Sequence, residues 1–289
     1  MAAVRKGLAA AGMTAEAVIS GEFVTTVRSL TGSSSYHIDR GAGTVGARTL
    51  NLPDGPVVIF NWESLAEVQP LDLERSAAHE SGHVLLYSRG EHASDYQHLV
   101  TDESDWRLLC IGSYAAEEFR IESALPKMGY RPWVESPVAH MRDALAELNY
   151  QVVASVLGEP SVLEMRDAVL AAQDVFSKVL AYSAGAHVSG ASLDLTALSG
   201  DAADEWTDYV GDSWQARLEL WRSLPDAWQA TTAEQWAATL KDALALEKQF
   251  MTRLGFDYRT LDEGLLFKRT GSDALFEQRF ERAVRDFPE

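Results

Sequence analysis

Cysteine is nearly absent from this chain. One thiol, Cys110, in 289 residues excludes an intramolecular disulfide and fits a reducing compartment, and it reads as a small buried side chain rather than a nucleophile. Basic residues are also scarce. Twenty-five Lys and Arg against 43 Asp and Glu leave a formal charge of -18, which removes the basic footprint that nucleic acid or an anionic membrane requires of a partner. A neutral or basic substrate suits that balance better. Long apolar runs are missing too: no stretch of about 18 residues could span a bilayer, and the weakly apolar start, Met1 to Glu16, does not read as a signal peptide. The expected location is therefore the cytoplasm. No internal repeat or low-complexity tract is present.

What is there suffices for a packed core. Hydrophobic residues make up 46% of the chain, and its length suits one large domain or two small ones. The pattern opens with a helix from Thr14, as N-cap, to about Leu30, closed by the Gly32-Ser33-Ser34-Ser35 turn. Short strands follow at Tyr36 to Asp39, Gly46 to Leu52 and Pro56 to Asn61, the last two joined by Pro53-Asp54-Gly55. Val57 to Phe60 is a continuous apolar run, as in a strand buried on both faces. A helix then covers Leu73 to Leu86, with Asp72 as N-cap and Gly90 as the stop, and another runs from about Trp106 to Leu125, ended by Pro126.

Beyond about Val134 only helical periodicity is found, near 137–157, 161–184, 201–223, 233–254 and 273–286. The Gly/Ser/Ala-rich stretch Ser183 to Ser199 reads as a mobile loop. Trp206, Trp214, Trp221, Trp228 and Trp236 recur at seven- to eight-residue spacing, the mark of helix core rather than of a ligand box. The expected class is thus α+β, with a sheet-containing unit over residues 1–130 and an α-helical unit over 131–289.

The chemistry concentrates in Ala77-Ala78-His79-Glu80-Ser81-Gly82-His83-Val84-Leu85-Leu86, an H-E-x-x-H sequence within an apolar helix. Residues i and i+4 share one helix face, so His79 and His83 can take neighbouring corners of a tetrahedral metal site. Glu80 stands beside that face, where it can serve as the general base of a zinc hydrolase without being a ligand. Burying two imidazoles and a carboxylate among alanine, valine and leucine would cost several kcal/mol without partners, and a metal removes that cost. Gly82, a poor helix former, marks a place where something approaches the helix closely.

Two histidines do not hold a catalytic zinc; a third protein ligand is needed. An H-E-x-x-H-x-x-G-x-x-H extension is excluded, because its last two positions are Leu86 and Arg89. The next helix offers Glu117-Glu118-Phe119-Arg120-Ile121-Glu122. Glu118 and Glu122 continue the apolar stripe of Leu108, Ile111 and Ala115, a costly placement unless something cationic lies there. One acid can ligate while the other fixes a ligand imidazole. We therefore take Glu118 as third ligand and Glu122 as the acid behind a histidine. Glu117 competes as ligand, although a surface pair with Arg120 would also account for it. His92 and His98 are further rivals; His37, His140 and His187 show no usable spacing.

His79-Glu80-x-x-His83 followed by Glu118-x-x-x-Glu122 resembles the gluzincin metallopeptidases, in which a later helix supplies the third ligand and a supporting acid. The run from Arg48 to Asn61 and then Arg75 to Leu86 is similar, more narrowly, to the minimal zincins of the ImmA/IrrE type, covering residues 14–126. Ser81 in place of an apolar residue, Glu122 in place of Asp, and the helical second half depart from that pattern. The resemblance implies a zincin-like fold before residue 130, a Zn2+ cofactor, and hydrolysis of a peptide or protein substrate with Glu80 as base. An oxyanion donor is needed as well, for which Tyr87, Tyr96, Tyr114, Tyr130 or a C-terminal histidine are candidates. Two alternatives differ in class. A two-histidine, one-carboxylate set also suits a non-haem iron enzyme modifying peptides or small molecules, and a regulatory protein with a vestigial metal domain would not need Glu80.

Overall fold

The computed structural model describes residues 1–12, 14–32, 45–134, 136–158 and 160–286. The chain is mixed α and β, dominated by helices. It opens with α1 (Ala2–Leu8), then β1 (Glu16–Ser20) and α2 (Phe23–Thr31). The single helix expected from Thr14 to Leu30 is therefore wrong. Ala17-Val18-Ile19 is a β-favouring run that pairs in parallel with Val58, Ile59 and Phe60, a distant partner that local periodicity does not reveal. Strands β2 (Ala47–Leu52) and β3 (Gly55–Asn61) form the expected antiparallel hairpin, and the sheet order is β1-β3-β2. The strand expected at Tyr36 to Asp39, with His37, lies outside the described residues.

Central β3 is buried on both faces, as its apolar run implied. Val58 and Phe60 pack with Val4, Leu8, Ala77 and Val84 on one side. Val57 and Ile59 pack with Phe23, Val27 and Leu50 on the other. After a short α3 (Trp62–Leu65), helix α4 (Pro70–Ser88) carries the paired histidines. It begins earlier than expected, with Gln69 as N-cap rather than Asp72, because Pro70 occupies the first turn where its fixed φ and missing N–H cost nothing. Gly90 takes the left-handed conformation just past the end, at φ 67°, as a helix stop requires. Gly7 lets α1 lie directly on α4: a Cβ there would sit 2.1 Å from the Glu74 carbonyl oxygen.

Helix α5 (Glu103–Ala124) starts at Asp102, whose carboxylate accepts the Asp105 N–H at 2.8 Å. Then come α6 (Pro137–Ala154), α7 (Val162–Val188), α8 (Asp201–Tyr209), α9 (Gly211–Arg222) and α10 (Ala233–Leu254). Strands β4 (Phe256–Leu261) and β5 (Gly264–Arg269) and helix α11 (Asp273–Asp286) complete the chain. Three expectations need correction. The helix expected over 201–223 breaks at Val210, whose φ is -125°. Segment 183–199 is helical as far as Val188, because Ser183, Ala184 and Gly185 are buried packing residues: a Cβ on Gly185 would lie 2.8 Å from Glu122 Cβ. The β4–β5 hairpin was unforeseen, although Phe256 and Tyr258 alternate inward and Gly264 supplies a positive φ of 138°.

The largest apolar cluster gathers Leu108, Ile111, Ala115 and Phe119 of α5 with Val169, Phe176 and Leu180 of α7 and Trp236, Leu240 and Leu244 of α10. Trp221 and Trp236 belong to it as core, and Trp206 and Trp214 pack against it, Trp214 meeting Trp206 at 5.5 Å and Trp221 at 6.4 Å between ring centroids; Trp228 packs instead on a smaller cluster with Ala78, Leu86 and Ile121. Truncation after Val134 strips this cover from α5. The expected outcome is aggregated protein on expression; a soluble, cooperatively melting fragment would show that the first unit stands alone.

Glu205 of α8 is 1% exposed and its Oε1 has no hydrogen-bond partner. Burial, aided by Asp286 and opposed by Arg282, pushes its pKa up to about 8 from 4.5. The folded chain thus holds this proton more tightly than the unfolded chain. Its contribution to stability is full below the unfolded pKa and is lost as pH rises through about 8. Denaturant unfolding at pH 9 and pH 6 should show Glu205→Gln more stable than wild type at the higher pH by at least about 1 kcal/mol. No difference between the two proteins at pH 9 would refute it.

Candidate metal centre

Helix periodicity sets the first two donors. His79 and His83, four residues apart on α4, have ring centroids 5.1 Å apart and planes at 70°. From α5, Glu118 reaches between them. Its Oε2 lies 3.1 Å from His79 Nε2 and 3.6 Å from His83 Nε2. Zinc–nitrogen and zinc–oxygen bonds of about 2.1 Å in a tetrahedron place neighbouring donors about 3.4 Å apart, and the two Glu118 spacings bracket that value. Among the described residues, His79, His83 and Glu118 form a group that could hold a metal ion, with one donor atom from each within 4.8 Å of the others.

The opposite face of each imidazole meets its own carboxylate. Glu122 Oε1 is 2.8 Å from His79 Nδ1, the position expected of it. Glu117 Oε2 is 3.5 Å from His83 Nδ1. Glu117 was read as a rival ligand with a surface ion pair as its ordinary explanation, and neither describes it. It is fully buried, its Oε1 accepts from Ser113 Oγ at 2.9 Å, and Arg120 is turned away to Glu91. Glu122 holds the His79 ring with Nε2 toward Glu118, an arrangement that settles tautomer and ring orientation in histidine metal sites, whereas Glu117 faces His83 Nδ1 without a hydrogen bond to it. Arg75, 3% exposed, in turn bonds Glu122 Oε2, donates to the Arg131 carbonyl at 2.9 Å and lies 5.1 Å from the Trp133 ring centroid.

Three buried atoms in this group lack hydrogen-bond partners: His83 Nδ1, Glu117 Oε2 and Glu118 Oε2. The orphaned Glu118 oxygen is the one directed at both Nε2 atoms, which is where a cation fits. Electrostatics agree. Burial alone would lower the pKa of His79, yet Glu118 and Glu122 outweigh it and hold the group at about 9. His83 is raised likewise against burial by Glu118, Glu117 and Glu80. Burial would raise Glu118, but the two imidazoles drive it well below the usual carboxylate range.

Glu80 stands outside this group. It is 8% exposed, and its Oε2 accepts the Thr49 hydroxyl of β2 at 2.6 Å. Sequence reasoning missed Thr49, since nothing local links a strand residue to a later helix. It also missed Tyr182 of α7, whose ring centroid is 6.3 Å from that of His79. Burial and then the charges of Glu118, Glu122 and Glu80 raise the Tyr182 pKa well above 10, so the phenol keeps its proton. Of the tyrosines foreseen, Tyr87 flanks His83 with centroids 6.2 Å apart, while Tyr130 is bound to Glu74 at 2.9 Å and Tyr96 packs with His98 at 5.9 Å.

The other described histidines are not in the group. His92 is the N-cap of a 3-10 turn, accepting from Ser94, and its ring meets Tyr87 at 4.3 Å. His187 Nδ1 lies 3.3 Å from the Ala191 carbonyl, and burial lowers the pKa of His140. Burial, with Glu117 and Asp174, pushes the Cys110 thiol up to about 12, which keeps it protonated and unreactive. No helix among the described residues is long and apolar enough to cross a membrane. No family model, curated protein or solved structure matches the chain.

Proposed function

We propose that this protein is a zinc-dependent peptide hydrolase of the gluzincin type, with a zincin-like arrangement of the first sheet and helices α4 and α5. One observation carries the reading: an orphaned Glu118 oxygen lies 3.1 and 3.6 Å from the Nε2 atoms of His79 and His83, while the carboxylate of the neighbouring Glu80 is tied to Thr49 instead. His79, His83 and Glu118 would hold the ion. Zinc in such a set acts as a Lewis acid, acidifying a water and polarising a carbonyl.

The chain's own residues do the rest. Glu80 accepts the proton of the attacking water and returns it to the leaving amine. Tyr182, kept neutral by burial and by the acidic groups around it, is a donor for the oxyanion that develops on the carbonyl. Glu122 prevents the His79 ring from turning, Glu117 places a carboxylate beside His83 Nδ1, and Arg75 compensates the Glu122 charge. Peptide fits the charge balance of the chain better than nucleic acid, because a net charge of -18 repels polyanions.

The test begins with protein purified without added metal. Elemental analysis should find about one zinc per chain, and hydrolysis of an unfolded protein such as reduced casein should stop with a chelator and return with zinc. Iron in place of zinc, with no hydrolysis under any loading, would replace this reading with a non-haem iron enzyme.

A further inference from the structure

Glu80 must present one carboxylate oxygen to a proton, yet a glutamate on a helix has three side-chain torsions with which to miss. Among the described residues one side-chain hydrogen bond restrains it, and that bond comes from another element. Thr49 lies on β2 in register with Val58, which turns its side chain to the sheet face where Val58 and Phe60 meet α4. Its hydroxyl is 2.6 Å from Glu80 Oε2 and 3.2 Å from the Glu80 main-chain oxygen. A hydroxyl has one hydrogen to give, and the shorter, charge-assisted contact takes it.

Thr49 is itself 7% exposed and Glu80 8% exposed, so the bond is shielded and water does not replace it freely. Among the described residues, Glu80 Oε1 has no hydrogen-bonded donor and is not sealed from solvent. The two oxygens are thereby made unequal: Oε2 is tied to the strand and Oε1 is left to accept. Threonine is also a specific choice. Valine has the same shape and a better claim on a face shared with Val58 and Phe60, but no proton to donate.

We infer that Thr49 is a positioning residue for Glu80, its hydroxyl fixing the carboxylate so that Oε1 is the oxygen that takes the proton. This inference rests on the proposed hydrolase function. Thr49 touches no reacting atom; it acts through Glu80 alone.

The test is a double-mutant cycle on the full-length, zinc-loaded protein, with Thr49→Val, Glu80→Gln and the pair, and Thr49→Ser as the conservative control. Two quantities are read: kcat and KM on a casein-derived peptide, and the affinity for acetohydroxamate by calorimetry, which needs no turnover. Thr49→Val should keep full zinc content, lower kcat about tenfold with KM within about twofold, and weaken acetohydroxamate by a similar factor. Thr49→Ser should restore both. In the Glu80→Gln background, Thr49→Val should change neither.

The inference is overturned if Thr49→Val matches wild type, if Thr49→Ser fails as badly as Thr49→Val, or if the Thr49→Val loss persists in full beside Glu80→Gln. Any of these in a protein that binds zinc and hydrolyses peptide leaves the hydrolase reading standing. A wild-type protein that takes no zinc, or takes it without binding acetohydroxamate or cleaving peptide, overturns both. If Thr49→Val does not fold, Thr49→Ala enters the same cycle.

Discussion

Glu118→Ala is expected to yield protein without metal, whereas Glu80→Gln should carry about one zinc per chain and lose hydrolysis at least about a hundredfold. The contrast follows from where the two carboxylates sit. Glu118 Oε2 faces both imidazole Nε2 atoms, at 3.1 and 3.6 Å, and its loss leaves two histidines, too few to retain the ion through purification. Glu80 contributes no atom to that group. Glu122→Ala should fall between, weakening metal binding or activity about ten- to a hundredfold by freeing His79 to rotate. Metal content after dialysis, by elemental analysis, orders the three variants. A zinc-replete Glu118→Ala beside an empty Glu117→Ala would move the ligand by one residue, against the geometry that places Glu117 at His83 Nδ1.

The largest effect on stability is expected at Arg120, which is fully buried. Its guanidinium pairs with Glu91, donates to the Pro225 carbonyl at 3.0 Å and to the Gln229 carbonyl at 2.8 Å, and lies 5.4 Å from the Trp236 ring centroid. Glu91 uses its other oxygen to accept the Thr231 N–H at 3.0 Å. Together they clamp residues 225–231 across α5, and Arg89 assists by donating to the Ala227 and Trp228 carbonyls. Arg120→Ala abandons a carboxylate that is 3% exposed and two carbonyls, so urea unfolding should show a loss of about 3–5 kcal/mol. Arg120→Lys should rescue little, because one ammonium does not reproduce a fork aimed at three acceptors. Arg120→Met combined with Glu91→Leu should recover part of the loss, since no charge is then stranded. A deficit below about 1 kcal/mol for Arg120→Ala would mean that water reaches Glu91.

Features that depend on a residue's neighbours a few positions away were legible in the sequence. The spacing of His79 and His83 is a property of one helix, and it survives whatever that helix packs against. So are the Pro53-Asp54-Gly55 turn, the apolar run of β3 and the Gly90 stop. Gly82 was read as a point of close approach, and the neighbour is Ile121, whose Cγ1 would lie 2.8 Å from an added Cβ. The misreadings share a cause. Ala17 to Ile19 becomes a strand because β3 lies beside it, and Ser183 to Val188 remains helical because small residues there fit against α5.

By itself, then, the sequence determined that two histidines and an acid lie together on one helix and that a second helix brings more acids within range. It also led to the expectation of Glu118 beside both histidines and Glu122 behind one of them, but left Glu117 open; only the tertiary structure decided that Glu117 stands at His83 Nδ1 and that Glu122 stands at His79 rather than His83. It alone brought in Thr49 and Tyr182. The physical reason is that helical periodicity assigns each side chain a direction within its own helix, while the rotation of one helix against another is a packing outcome. Here that rotation is set where Gly82 admits Ile121 and Gly185 admits Glu122, contacts between elements far apart in the chain that no local pattern encodes.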